Sequence, residues 1–342
     1  MAYKAKSEDT PNIEPAVMTL TFRTASVAPG LVGTNYIDLS QVASLVNRRF
    51  YRQGLNWAVS GMKIRTGAGT EGAVICSKLP NTWVMKNAWV KGFENWRERI
   101  KEALGQDGIE ESDVKGRFLD FKIYADADHH QLGMLQNLMP EDRGTNTPQQ
   151  GEWLSAKILL ESGSGGSVSH EIVAVGANYP GVSAVTALNA VSLTEGYAAS
   201  RRLPNISDPN TPNDIDDTAG TLAQNWMRGM HTRGGTSDEN IIRDVTGYDL
   251  PPYPFENDGT NFDTQYPGGA NQLPELAIHD SVGYSSTTIG GQSFVKGGNF
   301  PCGLMRIDHA VPVGGLSHNL IIQVDLVPGE HRGYLAEPMG DM

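Results

Sequence analysis

Short stretches in which apolar and polar residues alternate recur from one end of this chain to the other, and they constrain its fold more than any other feature. Residues 17–27 (VMTLTFRTASV) set Met18, Leu20 and Phe22 against Thr19, Thr21 and Arg23. Residues 318–327 put Leu320, Ile322, Val324 and Leu326 on one side. A period of two turns one face of a strand to a core and the other to solvent. Further strand-like segments fall at 55–66, 72–79, 117–125, 153–160 and 170–176. Gly67 and Gly69 permit the positive φ of a tight connection, so 55–66 and 72–79 are expected to form a hairpin.

Helical signals are few. Trp89, Phe93, Trp96, Ile100 and Leu104 share one face of a helix over 88–104, with Glu94–Arg97 and Glu98–Lys101 pairing across a turn and Gly105 as a stop. Asp38 and Ser40 offer N-cap oxygens for a short helix ending near Arg48, and SDENIIRDV allows another near 237–245. Between 201 and 271 Pro, Asp, Asn and Gly dominate, as in long surface loops. With 39 Gly, 19 Pro and 19% charged residues in 342, the chain is expected to be all-β. The reading is one domain over 17–342, an antiparallel sandwich with Greek-key connections, inserted short helices and long loops, behind an arm over 1–16.

No apolar run reaches the roughly 20 residues that span a bilayer, and MAYKAKSEDTPNIEP lacks an apolar leader core, so no membrane partner is expected. Cys76 and Cys302 sit in apolar text as reduced core residues. No GxSxG, HExxH, P-loop or strand-following GxGxxG is present, so no catalytic residue and no cofactor is assigned and the chain is not expected to be an enzyme. Asp126, Asp128, His129 and His130 are read as a polar strand end, because adjacent strand residues point to opposite faces and cannot share one ion. Asp214, Asp216 and Asp217 lack the placed Gly and Glu of a calcium loop. The string 162–167 (SGSGGS), without a phosphate-binding Lys, is a hairpin loop, and His170, His279 and His309 are scattered structural residues. No metal site is assigned.

Charge is more informative. The net charge is −12, yet residues 1–122 carry 17 Lys and Arg against 13 Asp and Glu. Arg48, Arg49 and Arg52 stand beside Phe50 and Tyr51, and Lys63 and Arg65 follow on the next strand. Cations interleaved with aromatics can hold phosphates and stack on unpaired bases, which makes these five the candidate nucleic-acid contacts. Ion pairs with acidic loops of a neighbouring chain are the alternative.

Six phrases carry a more specific signal: 47–54 (NRRFYRQG), 79–84 (LPNTWV), 87–93 (NAWVKGF), 266–269 (YPGG), His279–Asp280 and 296–304 (KGGNFPCGL). Together and in this order the chain resembles capsid proteins of circular Rep-encoding single-stranded DNA viruses. The resemblance implies a viral coat-type jelly roll, of which sixty copies close a T=1 shell around a circular single-stranded DNA genome, with basic residues facing that genome. It also implies a virion location, assembly in the host nucleus or cytoplasm, and a receptor or glycan contact, for which loops of 201–271 are the natural place. Many relatives begin with an arginine-rich arm; here residues 1–16 set Lys4 and Lys6 against Glu8, Asp9 and Glu14, so DNA retention would fall to residues such as Arg48, Arg49, Arg52, Lys63 and Arg65. A lectin-like carbohydrate-binding sandwich is the main alternative, and a cupin-type enzyme with histidines converging on a metal is a second.

Overall fold

The computed structural model describes residues 16–106, 119–142, 146–151, 153–161, 167–179, 189–201, 276–288 and 291–342. The arm over 1–15, the expected loops from 202 to 271, the expected helix near 237–245 and the three aspartates at 214–217 lie outside the described residues.

Along the chain run β1 (Thr19–Arg23), β2 (Val32–Asp38), α1 (Leu39–Asn47), β3 (Leu55–Arg65), β4 (Gly72–Lys78), α2 (Trp83–Gln106) and α3 (Ala127–Leu132). Then come β5 (Lys157–Glu161), β6 (Ser167–Val173), β7 (Ala190–Ser192), α4 (Leu193–Arg201), β8 (Ala277–Tyr284), β9 (Gln292–Phe300), β10 (Leu304–Ala310) and β11 (Ile321–Leu326). The short β12 (Pro328–Gly329), β13 (Gly333–Tyr334) and β14 (Ala336–Pro338) close the chain. The protein is mainly β.

Two antiparallel sheets face each other. One runs β1-β11-β3-β9, with β14 also against the start of β3, and the other runs β2-β10-β4-β8. The pairing is nested: β1 with β11, β2 with β10, β3 with β9 and β4 with β8, so each early strand finds a late one. The alternation read in the sequence explains the register. Leu20, Val324, Met62 and Val295 form one inward row across the first sheet, and Phe22, Ile322 and Ile64 lie in the next. They meet Ile37, Val74, Cys76, Met305 and Ile307 of the second sheet, making a β-sandwich core. Each fully buried side chain of this size stabilises by roughly 1.5–3 kcal/mol.

Between β4 and β8 the chain leaves the sandwich and builds a second layer. β5 and β6 pair antiparallel, with Glu161 opposite Ser167, and β7 joins β6 in parallel. Met85 and Trp89 of α2, Phe121, Ile123, Ile172 and Val175 pack with Tyr36 and Leu304 into a second core. No helix among the described residues is long and apolar enough to cross a membrane.

Several expectations need correction. β3 and β4 are both strands, but they lie in different sheets, so residues 66–71 cross the sandwich and are not a hairpin turn. Residues 119–123 form no strand and Tyr124 makes only an isolated bridge to Val173. There the buried Gln53 side chain takes both the N–H and the C=O of Ile123, which replaces a strand partner. Helix α2 starts at Trp83, five positions before the expected start at 88, because Thr82 supplies the first carbonyl, to Lys86 N. Residues 127–132 are helical and do not form a strand end.

Candidate nucleic-acid interface

Helix α1 sets the geometry of the arginine-rich loop. Asp38 caps it, accepting from the backbone of Ser40 at 2.9 Å and Gln41 at 3.2 Å, as the sequence predicts. Burial pushes the Asp38 carboxyl up to about 6. Arg48 ends the helix in the left-handed region, φ 52°, and the chain turns toward β3.

Within that turn the residues divide by burial. Tyr51 is buried: its hydroxyl donates to Arg332 O at 2.9 Å, its amide donates to Ser44 Oγ at 2.9 Å, and its ring packs on Trp57 and Tyr334. Gln53 is buried as well, its amide N–H reaching Asp120 Oδ2 at 3.1 Å and its side chain reaching Ile123 and Asp38. These two anchors leave Arg48 and Arg52 exposed with Phe50 half-buried between them. Tyr51 is therefore a core residue, which corrects its expected role as a stacking partner for bases.

The five candidate cations do not form one cluster. Arg48, Arg49 and Arg52 sit at the start of β3, whereas Lys63 and Arg65 lie at its far end, about 30 Å away for an extended strand of this length. Lys63 is paired with Asp325 at 3.0 Å, and Arg65 donates to Gln323 Oε1 at 3.5 Å, both on the outer face of the first sheet. In their place the fold supplies Arg332, whose Nη1 donates to Phe50 O, and a wall of aromatics from α2. Arg52 Nη1 donates to Leu119 O, with its guanidinium 5.2 Å from the centroid of Phe50. Among the described residues neither Arg52 nor Arg332 is ion-paired with a carboxylate.

Between these groups lies a cavity of about 420 Å³, lined in part by Phe50, Arg52, Trp89, Phe93, Asp120 and Arg332. Trp89 and Phe93 stack at 5.0 Å with 11° between their planes. Gly54 makes room for Trp89: a Cβ there would lie 2.5 Å from the indole ring. Burial raises the Asp120 carboxyl above its usual range, against the nearby Arg52 charge. The helical spacing of Trp89 and Phe93 is visible in the sequence, but nothing local announces that Arg332 joins them.

A second charged cavity, about 480 Å³ over the outer face of the second sheet, has the opposite character. Arg306 is there held by Asp126 at 2.7 Å, Asp128 at 2.8 Å and Asp308 at 2.9 Å. Three carboxylates around one guanidinium repel phosphate. The neighbouring histidines go elsewhere: His129 is buried and stacks on Tyr36 at 4.3 Å, and His130 Nε2 lies 2.7 Å from Glu171. Among the described residues no three His, Cys, Asp or Glu side chains converge to hold a metal ion. Cys76 and Cys302 are free and buried. No protein-family model, no curated protein and no solved structure matches the chain.

Proposed function

We propose that this chain is a coat-type jelly-roll subunit that assembles with copies of itself into a closed shell, about sixty subunits in a T=1 arrangement, around circular single-stranded DNA. The observation that carries this reading is the nested pairing of β1, β2, β3 and β4 with β11, β10, β9 and β8 across two facing sheets. Eight strands wound this way make two successive Greek keys, the arrangement of the double-sheet jelly rolls found in viral coats, lectins and cupins.

Two features favour the coat over the other users of that arrangement. The space between the sheets is filled by Phe22, Trp57, Ile322, Val324, Met305 and their neighbours, where a cupin opens a lumen for its metal and substrate. At one end of the sandwich, Leu31 and Val32 lie beside the 311–316 turn, and the four side chains Leu31, Val32, Val313 and Leu316 are 59%, 61%, 87% and 62% exposed. A grouped apolar surface of that kind is what contact with a second copy covers. The virion is the corresponding location, and the Pro-, Asp- and Asn-rich stretch 201–271 is the proposed receptor or glycan contact.

Electron microscopy and sedimentation of the purified chain across salt and pH test the proposal. Closed particles of one size are expected, and Val313→Asp with Leu316→Asp should leave a folded subunit that no longer assembles. A chain that stays a monomer or small oligomer in every condition, while binding immobilised glycans, would replace the coat with the lectin-like reading.

A further inference from the structure

Resting on the reading that the chain encloses single-stranded DNA, we propose that the cavity between the α1–β3 loop, α2 and Arg332 binds one unpaired base of that strand, with its phosphate on the two arginines at the mouth. A guanidinium carries five N–H donors, and Arg52 and Arg332 each spend donors on a backbone carbonyl, Leu119 O and Phe50 O, which positions them without neutralising them. Phe50, Trp89 and Phe93 present aromatic surface behind that charge. Trp89 also has its indole N–H buried without an acceptor among the described residues.

Asp120 sets the direction of entry. Its carboxyl lies at the inner side of the cavity, held by the Gln53 amide at 3.1 Å, and an anionic phosphate cannot approach it. The base goes in and the phosphate stays out. At about 420 Å³ the space is large enough for one nucleobase with part of its sugar. A duplex would have to unpair and flip a base to use the site, so the site selects single strands. Lys63 and Arg65, paired or facing the first sheet's outer surface at the far end of β3, take no part.

The test is fluorescence-anisotropy titration of the full chain, kept unassembled at low concentration, with a labelled 12-nucleotide single strand, the matching duplex, and inorganic tripolyphosphate as competitor. The single strand should bind at least tenfold tighter than the duplex. Phe50→Leu should weaken it about tenfold through lost stacking, with Phe50→Tyr retaining affinity. Arg332→Gln should reduce the slope of log affinity against log salt by about 0.7. Equal binding of single strand and duplex, unchanged affinity in Phe50→Leu, or tripolyphosphate displacing the strand from wild type and Phe50→Leu alike would overturn the proposal. If Phe50→Leu does not fold, the strand preference and the Arg332→Gln slope decide it. Microscopy of the same purified chain at the higher concentrations that favour assembly separates the two readings: shells without strand preference sink the pocket alone, and strand preference without shells sinks the container alone.

Discussion

Gln53 holds the arginine-rich loop to the rest of the molecule, and its replacement by alanine is the sharpest test of how that loop is built. Its side-chain N–H groups donate to Asp38 Oδ2 at 3.2 Å and Ile123 O at 3.1 Å, and its carbonyl accepts from Ile123 N at 2.6 Å. Alanine strands three buried groups at once. At roughly 1–3 kcal/mol for each, with part of the space refilled by water, the loss comes to about 4 kcal/mol. With an unfolding slope near the upper end for single domains, about 3 kcal/mol/M in urea, the midpoint of the unassembled subunit falls by about 1 M with the slope unchanged. Gln53→Glu is the control, because when ionised it keeps the shape but cannot donate and sets a third carboxylate beside Asp38 and Asp120, whereas protonation restores one donor. It should lose more than alanine at neutral pH and less at low pH. A loss under about 1 kcal/mol in Gln53→Ala would refute the account of the Ile123 backbone as satisfied by this one amide.

Acid should weaken the fold in a defined window. His129 and His309 are held down to about 4, mainly by burial, so the unfolded chain takes up their protons near pH 6.5 and the folded chain does not; stability falls as pH drops between those values, by about 3 kcal/mol each. Asp38, at about 6, works the other way and restores about 3 kcal/mol over pH 6 to 4. Urea unfolding should therefore show a net loss of about 3 kcal/mol from pH 7 to 4, and a flat profile would contradict the burial of the two imidazoles. Gly297→Ala would put a Cβ 2.2 Å from Ser60 O where β9 pairs with β3, so the variant should unfold at least 10 °C lower in calorimetry than the parent. Arg306→Met leaves Asp126 and Asp308 without their cation and should cost about 3–5 kcal/mol in urea unfolding, with Asp308→Asn recovering part of it in the double variant.

What could be read in the sequence was local. Leu320, Ile322, Val324 and Leu326 alternate, and all four are buried on one side of β11 and its approach, because burial of a strand face depends on period alone. Asp38 announces α1 by its short carboxyl side chain. Partnership was not legible. Gly67 and Gly69 mark a turn after β3 equally well whether the chain folds back on itself or crosses to another sheet, so the hairpin expectation failed on pairing and held on strand existence. Residues 119–123 alternate like a strand, yet the backbone partner of Ile123 is an amide side chain 70 positions earlier, which no periodicity encodes. Of the candidate contacts, Arg48 and Arg52 reached the surface as their type suggests, whereas Tyr51 was claimed by the core.

The same nested pairing that makes the sandwich explains why the site escaped local reading. Pairing early strands with late ones returns the last residues of the chain to the place where α1 gives way to β3. β14 sets Ala336 opposite Trp57, and Tyr334 packs on both Tyr51 and Trp57. Arg332 is thereby brought against Phe50, from the far end of the sequence. The inserted layer arrives at this end too, since the chain leaves β4 at Lys78 and its aromatic helix packs near Leu304 and Cys302, beside the turn between β9 and β10. One end of the sandwich thus collects three remote segments, and charge from two of them meets aromatic surface from the third. A variant that keeps both sheets but frees β14, such as Ala336→Pro, should release Arg332 from Phe50 and lower strand affinity without unfolding the core.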